Sequence, residues 1–113
     1  MSRITISGAT KVDISDGTYN PSRSNSVNLD DDPAVTQAQF MRIGSTVTVS
    51  GIFTADPTLT ATATSFQISL PVASNIGNVE DVAGVAFCGA IAGQGAQVTG
   101  NVANNTALIS WIS

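Results

Sequence analysis

Gln37-Ala38-Gln39-Phe40-Met41-Arg42-Ile43-Gly44-Ser45-Thr46-Val47-Thr48-Val49-Ser50-Gly51-Ile52-Phe53-Thr54 is the stretch that decides the fold. Apolar and polar residues alternate with a period of two on both sides of Gly44-Ser45, as half-buried strands require. Glycine in the first position of a two-residue loop suits a type II′ hairpin turn. The resulting register pairs Ile43 with Thr46, Arg42 with Val47, Met41 with Thr48 and Phe40 with Val49. Val47, Val49 and Phe53 then share one sheet face, with Gly51 between them.

The same period recurs outward from this hairpin. Ile4 and Ile6 alternate with Arg3, Thr5 and Ser7, and Val12 and Ile14 with Lys11, Asp13 and Ser15. Asp16-Gly17 reads as a turn, so residues 1–16 form an N-terminal arm and residues 17–113 one β domain. Val27 and Leu29 continue the theme up to Asp30-Asp31-Asp32-Pro33. Phe66, Ile68 and Leu70 alternate with Ser65, Gln67 and Ser69 in a strand closed by Pro71. From Val82 to Ala92 the chain is apolar on both faces, as in a central strand covered on both sides, with bends at Gly84, Gly89 and Gly93. Asn104-Asn105 is a turn before a last strand that carries Trp111. Eight to ten short strands with regular turn signals predict an all-β fold, a small antiparallel β-sandwich or jelly-roll-like barrel with an N-terminal arm.

Composition narrows the chemistry. The 113 residues contain no histidine, one cysteine, one lysine (Lys11) and one glutamate (Glu80). General acid–base catalysis and metal sites draw mostly on the missing residue types, so no enzyme and no cofactor is expected. Hydrophobic residues make up 42% but aromatics only 5%, so the core is built from small and branched side chains. Charged residues make up 11%, against about 25% in an average soluble domain. With a positive mean hydropathy, this points to burial against other chains in an oligomer or shell. A net charge of −4 and a pI near 4.1 argue against nucleic acid, and cations at positions 3, 11, 23 and 42 make no patch. Nothing in the chain resembles a signal peptide or a membrane span, so a soluble product with no membrane partner is expected.

Each candidate site has a plainer reading. Asp30-Asp31-Asp32 lacks the alternating spacing that directs ligands to one calcium ion, and a solvated loop accounts for it. Asp56 and Glu80-Asp81 also lie in loops. Cys88, inside Val85-Ala86-Phe87-Cys88, reads as a small buried hydrophobe. Gly93-Gln94-Gly95 lacks the lysine of a phosphate loop and reads as a turn. Tyr19, Phe40 and Trp111 could stack on sugars, but core or interface packing is the better use of so few rings. Gln37, Gln39, Asn104 and Asn105 could contact glycan, although most surface amides are simply solvated.

From Gly17 onward the chain resembles a family of bacteriophage virion domains often found near the ends of tail fibres. Gly17-Thr18-Tyr19-Asn20-Pro21, Gln39 to Gly51, Ile68-Ser69-Leu70-Pro71-Val72-Ala73-Ser74-Asn75 and Val82-Ala83-Gly84 carry the likeness. With the Trp111 strand they span about four-fifths of the chain, and the hairpin and the S-L-P-V-A-S stretch are the specific parts. The resemblance implies a β-sandwich virion component, commonly trimeric, with no catalytic residues. Relatives that form fibre tips sit behind long attachment segments and continue past the tryptophan with another aromatic strand. This chain has neither feature, so an open edge is expected beside the Trp111 strand.

A short chain running from Met1 to Ser113 suits a protein present in many copies on a particle. The favoured expectation is a capsid decoration (cement) protein, a homotrimer on the virion surface that clamps the major capsid protein and is soluble in the host cytoplasm before assembly. Arg3, Ile4, Ile6, Val12 and Ile14 of the arm would contact the shell, and Tyr19, Met41 and Trp111 the trimer partners. Two other readings stand beside it. One is a tail-fibre or baseplate module that binds host glycan. The other is a polysaccharide-cleaving enzyme using Asp30, Asp31, Asp32 and Asp56. The arm, through Ile4-Thr5-Ile6 or Val12-Asp13-Ile14, is expected to cover the open edge in its own or a neighbouring subunit. Removing residues 1–15 should therefore abolish assembly as judged by size-exclusion chromatography, and a deletion variant that assembles normally would remove the idea.

Overall fold

The computed structural model describes residues 2–6, 10–31, 33–87 and 94–113. It is an antiparallel β-sandwich. One sheet holds β1 (Ser2–Ile6), β2 (Thr10–Tyr19), β5 (Ala38–Ile43) and β6 (Thr46–Ser50), in the order β1-β2-β5-β6. The other holds β3 (Arg23–Val27), β8 (Ala63–Ile68), β9 (Ala83–Phe87), β10 (Gly95–Asn101) and β11 (Thr106–Ile112), in the order β3-β8-β11-β10-β9. A short ribbon of β4 (Ala34–Val35) and β7 (Phe53–Thr54) makes a third, two-stranded sheet.

The central hairpin has the register its alternation predicts, from Ile43 opposite Thr46 to Phe40 opposite Val49. Gly44 sits at φ 59 while Ser45 stays out of the left-handed region, the combination a type II′ turn needs. Phe53 leaves this sheet and pairs with Val35 in the short ribbon. Asp16-Gly17 is not a turn. Both residues lie inside β2, opposite Met41 and Phe40, so the strand runs unbroken across position 16. Gly17 is a packing glycine, because a Cβ there would meet Cε1 of Phe40 at 3.2 Å.

β1 pairs with residues 10–14 of β2, whereas β5 pairs with residues 14–19. Ile14 is the one position bonded on both sides. Beyond it, β1 and Thr10–Asp13 form a two-stranded ribbon that runs about 14 Å past the body at the usual rise per residue. The molecule is correspondingly long, 57 × 29 × 23 Å, with a radius of gyration of 16.1 Å against about 13 Å for a compact domain of this size.

The core is small. Phe66, at 0% exposed, lies at its centre with Ala38, Ile76, Ala107 and Ile109. Its ring meets Phe53 at 4.9 Å and Trp111 at 6.2 Å between centroids, both edge to face. These contacts fasten the short ribbon to the inner face of the five-stranded sheet. Buried polar groups are paired. The Gln67 Oε1 accepts from Asn104 Nδ2 (3.0 Å) and Thr106 Oγ1 (2.8 Å), and the Asn28 amide donates to Thr64 Oγ1 (2.8 Å) and the Leu59 carbonyl (3.0 Å). The accessible surface is 7375 Å², against about 5,800 Å² for a folded monomer of this mass.

Truncation separates the ring that makes the core from the one that does not. Phe66→Ala should cost about 3–5 kcal/mol in urea denaturation, whereas Phe87→Ala, at a site exposed in the single chain, should stay within about 0.5 kcal/mol when the protein is kept monomeric by dilution.

Candidate functional site

Inner and outer faces follow from the register. In the four-stranded sheet, Tyr19 lies opposite Ala38 and Phe40 opposite Val49, and this row faces the second sheet. In the five-stranded sheet the inward row is Phe66, Ile109, Val98 and Gly84. Phe53, from the short ribbon, packs on Phe66 and Trp111 of the inward row. Between the two sheet faces, lined by residues of β6 and β9, lies a cleft of about 580 Å³. Val47 and Val49 line one wall, and Val98, Ala107 and Ile109 the other. Asp81 and Val82 also line it, just ahead of β9.

Both rims of this cleft are sheet edges, since among the described residues β6 and β9 each have one bonded neighbour. The predicted central strand at 82–92 is therefore corrected. Its described part, β9, is an edge strand, with Val85 and Phe87 on the outer face at 88% and 87% exposed. An apolar run records that a strand is to be covered on both faces but not which chain covers it. Five of the six aromatic residues pack in ring pairs, Tyr19 with Phe40 and Phe53 with Phe66 and Trp111, whereas Phe87 is bare.

The open edge expected beside the Trp111 strand is also corrected. β11 lies between β8 and β10, bonded on both sides. The arm pairs with itself and with β5 in the other sheet, so within one chain it covers no edge of the five-stranded sheet.

The residues predicted for the shell, Arg3, Ile4, Ile6, Val12 and Ile14, all fall on the projecting ribbon or at its root, with Ile4 opposite Val12. Side-chain placement is described from Ile14, which is half-buried. The three predicted for the trimer are not brought together. Trp111 is half-buried against Phe53 and Phe66, and Tyr19 packs edge-on against Phe40 and donates to the Ser69 carbonyl at 3.1 Å. Met41, 46% exposed, stands with Ile43 on the outer face of the four-stranded sheet. Sequence reasoning missed the cleft and the bare Val85–Phe87 edge, although the two-sided apolar run carried the signal.

The other candidates have plainer roles. Asp30 accepts from Thr58 Oγ1 at 2.8 Å, and its N–H donates to the Asp56 carbonyl at 2.9 Å. Among the described residues no three His, Cys, Asp or Glu gather as a metal site would need. Asn104 donates to Gln67 and Asn105 accepts from the Ile76 N–H, so both amides serve the fold. Gln37 and Gln39 are exposed. Asp32, Cys88 and Gly93 lie outside the described residues. Among the described residues no helix is long and apolar enough to cross a membrane. No family model, curated protein or solved structure matches the chain.

Burial raises the Tyr19 phenol above its ordinary pKa. The folded form holds this proton more tightly than the unfolded chain does, so its contribution to stability is complete below about pH 10 and is lost as pH rises through the folded value. Tyr19 is the sole tyrosine, so absorbance at 295 nm should titrate in one step above the free-phenol midpoint and return to it in urea.

Proposed function

We propose that this chain is a phage virion structural protein, a trimeric capsid decoration protein that clamps the major capsid protein shell. The observation that carries the reading is the unfinished surface of the single chain. It exposes about 1,600 Å² more than a monomer of its mass should. A standard interface takes about 800 Å² from each partner, and a subunit in a cyclic trimer has two such interfaces. The excess is thus of the size a trimer would remove. The low charge, the bare Val85 and Phe87 and the sequence resemblance all support the same reading.

In this reading the ribbon bearing Arg3, Ile4, Ile6, Val12 and Ile14 reaches the shell. A two-stranded ribbon is marginal alone and gains stability when a third strand joins it. Many copies bound at once turn modest single contacts into a durable clamp. At the trimer contact, Val85 and Phe87 take the part first given to Tyr19 and Trp111, whose rings already pack within the chain; Met41 keeps its place on an exposed face. Tyr19, Phe40 and Trp111, the rings first considered for stacking on sugar, are engaged with other rings, and Phe87 is the ring left exposed.

The test is add-back to virus particles assembled without the protein. Hundreds of copies should bind per particle, appear as capsid knobs by electron microscopy and raise the temperature at which shells open. Binding of a few dozen copies at the tail, or binding to a glycan array instead of shells, would replace this reading with the fibre module.

A further inference from the structure

We propose that β1 of a second copy of this chain docks along the free edge of β9 and closes the cleft between the two sheets. The inference rests on the reading of the chain as an assembling protein and names the contact that assembles it.

The acceptor is an unpaired edge. Among the described residues β9 bonds to β10 alone, and on its other side the cleft opens onto Val47, Val49, Val98 and Ile109. A strand added there would continue the five-stranded sheet through main-chain hydrogen bonds and direct alternate side chains into the cleft, the mode of strand addition at a sheet edge. β1 fits that place. It is five residues long, as β9 is, and both span about 17 Å. Its sequence alternates Ile4 and Ile6 with Arg3 and Thr5, so one row can fill an apolar cleft while the other stays outside. β1 is an edge strand too, so it can accept a new neighbour without leaving β2.

The topology makes the donor another copy. Within one chain, β1 is at one edge of the four-stranded sheet and the cleft opens at the other, beyond β2, β5 and β6. Three strand spacings, about 14 Å, separate the two edges.

Charge favours the same pairing. Arg3 and Lys11 against Asp13 leave residues 1–15 at +1, so the rest of the chain carries −5 of the net −4. Glu80 and Asp81 form the turn that leads into β9, and Asp81 lines the cleft. The cationic end of one copy thus meets an anionic rim on the next, which steers encounter and fixes orientation. Donor and acceptor edges differ, so the contact is head-to-tail, and a closed ring pairs every β1 edge with a β9 edge. The shell contact then narrows to the other side of the ribbon, where Thr10–Asp13 of β2 lack a bonded partner from β5.

The test uses two full-length variants on a Cys88→Ser background, Thr5→Cys and Val85→Cys, each with a different tag. Oxidised as an equimolar mixture, they should give the mixed disulfide in several-fold excess over either homodimer. Adding Glu80→Lys to the Val85→Cys partner should cut that yield several-fold, and restoring the opposite charge pair with Arg3→Glu in the donor should recover it. Equal mixed and homodimeric yields, or a yield indifferent to Glu80→Lys, would overturn the contact. Shell binding is read separately. A mixed disulfide without shell binding keeps this contact and removes the shell as partner, whereas shell binding without the disulfide removes this contact alone.

Discussion

Phe66 fastens the short β4–β7 ribbon to the five-stranded sheet, and the limited reach of that contact shapes the molecule. Its ring is fully buried between Phe53 and Trp111, where the short β4–β7 ribbon is fastened to the five-stranded sheet. Aromatic pairs of this kind add about 0.5–1.5 kcal/mol each beyond the area they bury. Away from the cluster the residues that line the cleft include Val47, Val49, Val98 and Ala107, all short side chains. Inward side chains normally interdigitate across about 10 Å. Here they do so on one side of the sandwich and leave a cleft on the other.

An open cleft leaves two edges unprotected. Proteins usually blunt an edge strand with charge, proline or a bulge, because a bare row of amides and carbonyls recruits any passing strand. β3 follows that practice, with a register shift between Ser24 and Val27 and Asn25 at positive φ. β9 does not. Its exposed row is Ala83, Val85 and Phe87, and no charged residue interrupts it. Opposite treatment of the two edges of one sheet is what a fold needs when one edge meets solvent and the other meets a partner.

Sequence pattern carried the local structure well wherever the cause was local. The Gly44 turn depends on one left-handed residue, and the strand ending at Ile68 on two-residue alternation, so both were legible. Gly17 was misread because glycine after aspartate signals a turn, whereas here it makes room for the Phe40 ring across the sheet, a contact between residues 23 positions apart. Gln67 was assigned to a solvated face but is buried, because Asn104 and Thr106 arrive from the β10–β11 hairpin to satisfy it. The sites followed the same rule. The arm was visible as a cluster of alternating isoleucines, but the cleft is a property of two sheets and no short window of sequence contains it.

The apolar run at 82–92 shows why composition and structure must be read together. Taken as one chain, the exposed Val85 and Phe87 look like a defect, since a monomer would lose little stability by replacing them with polar residues. Taken with the 11% charge content, they belong to a consistent scheme. A protein that stays apart from its neighbours needs charge to do so. This one has little charge, with Arg3 and Lys11 against Asp13 on the projecting ribbon and the acidic Glu80-Asp81 turn beside the bare edge. Such a distribution does little for the solubility of a lone subunit, and in the proposed contact it would orient one copy on the next so that the cleft and the β9 edge leave water together.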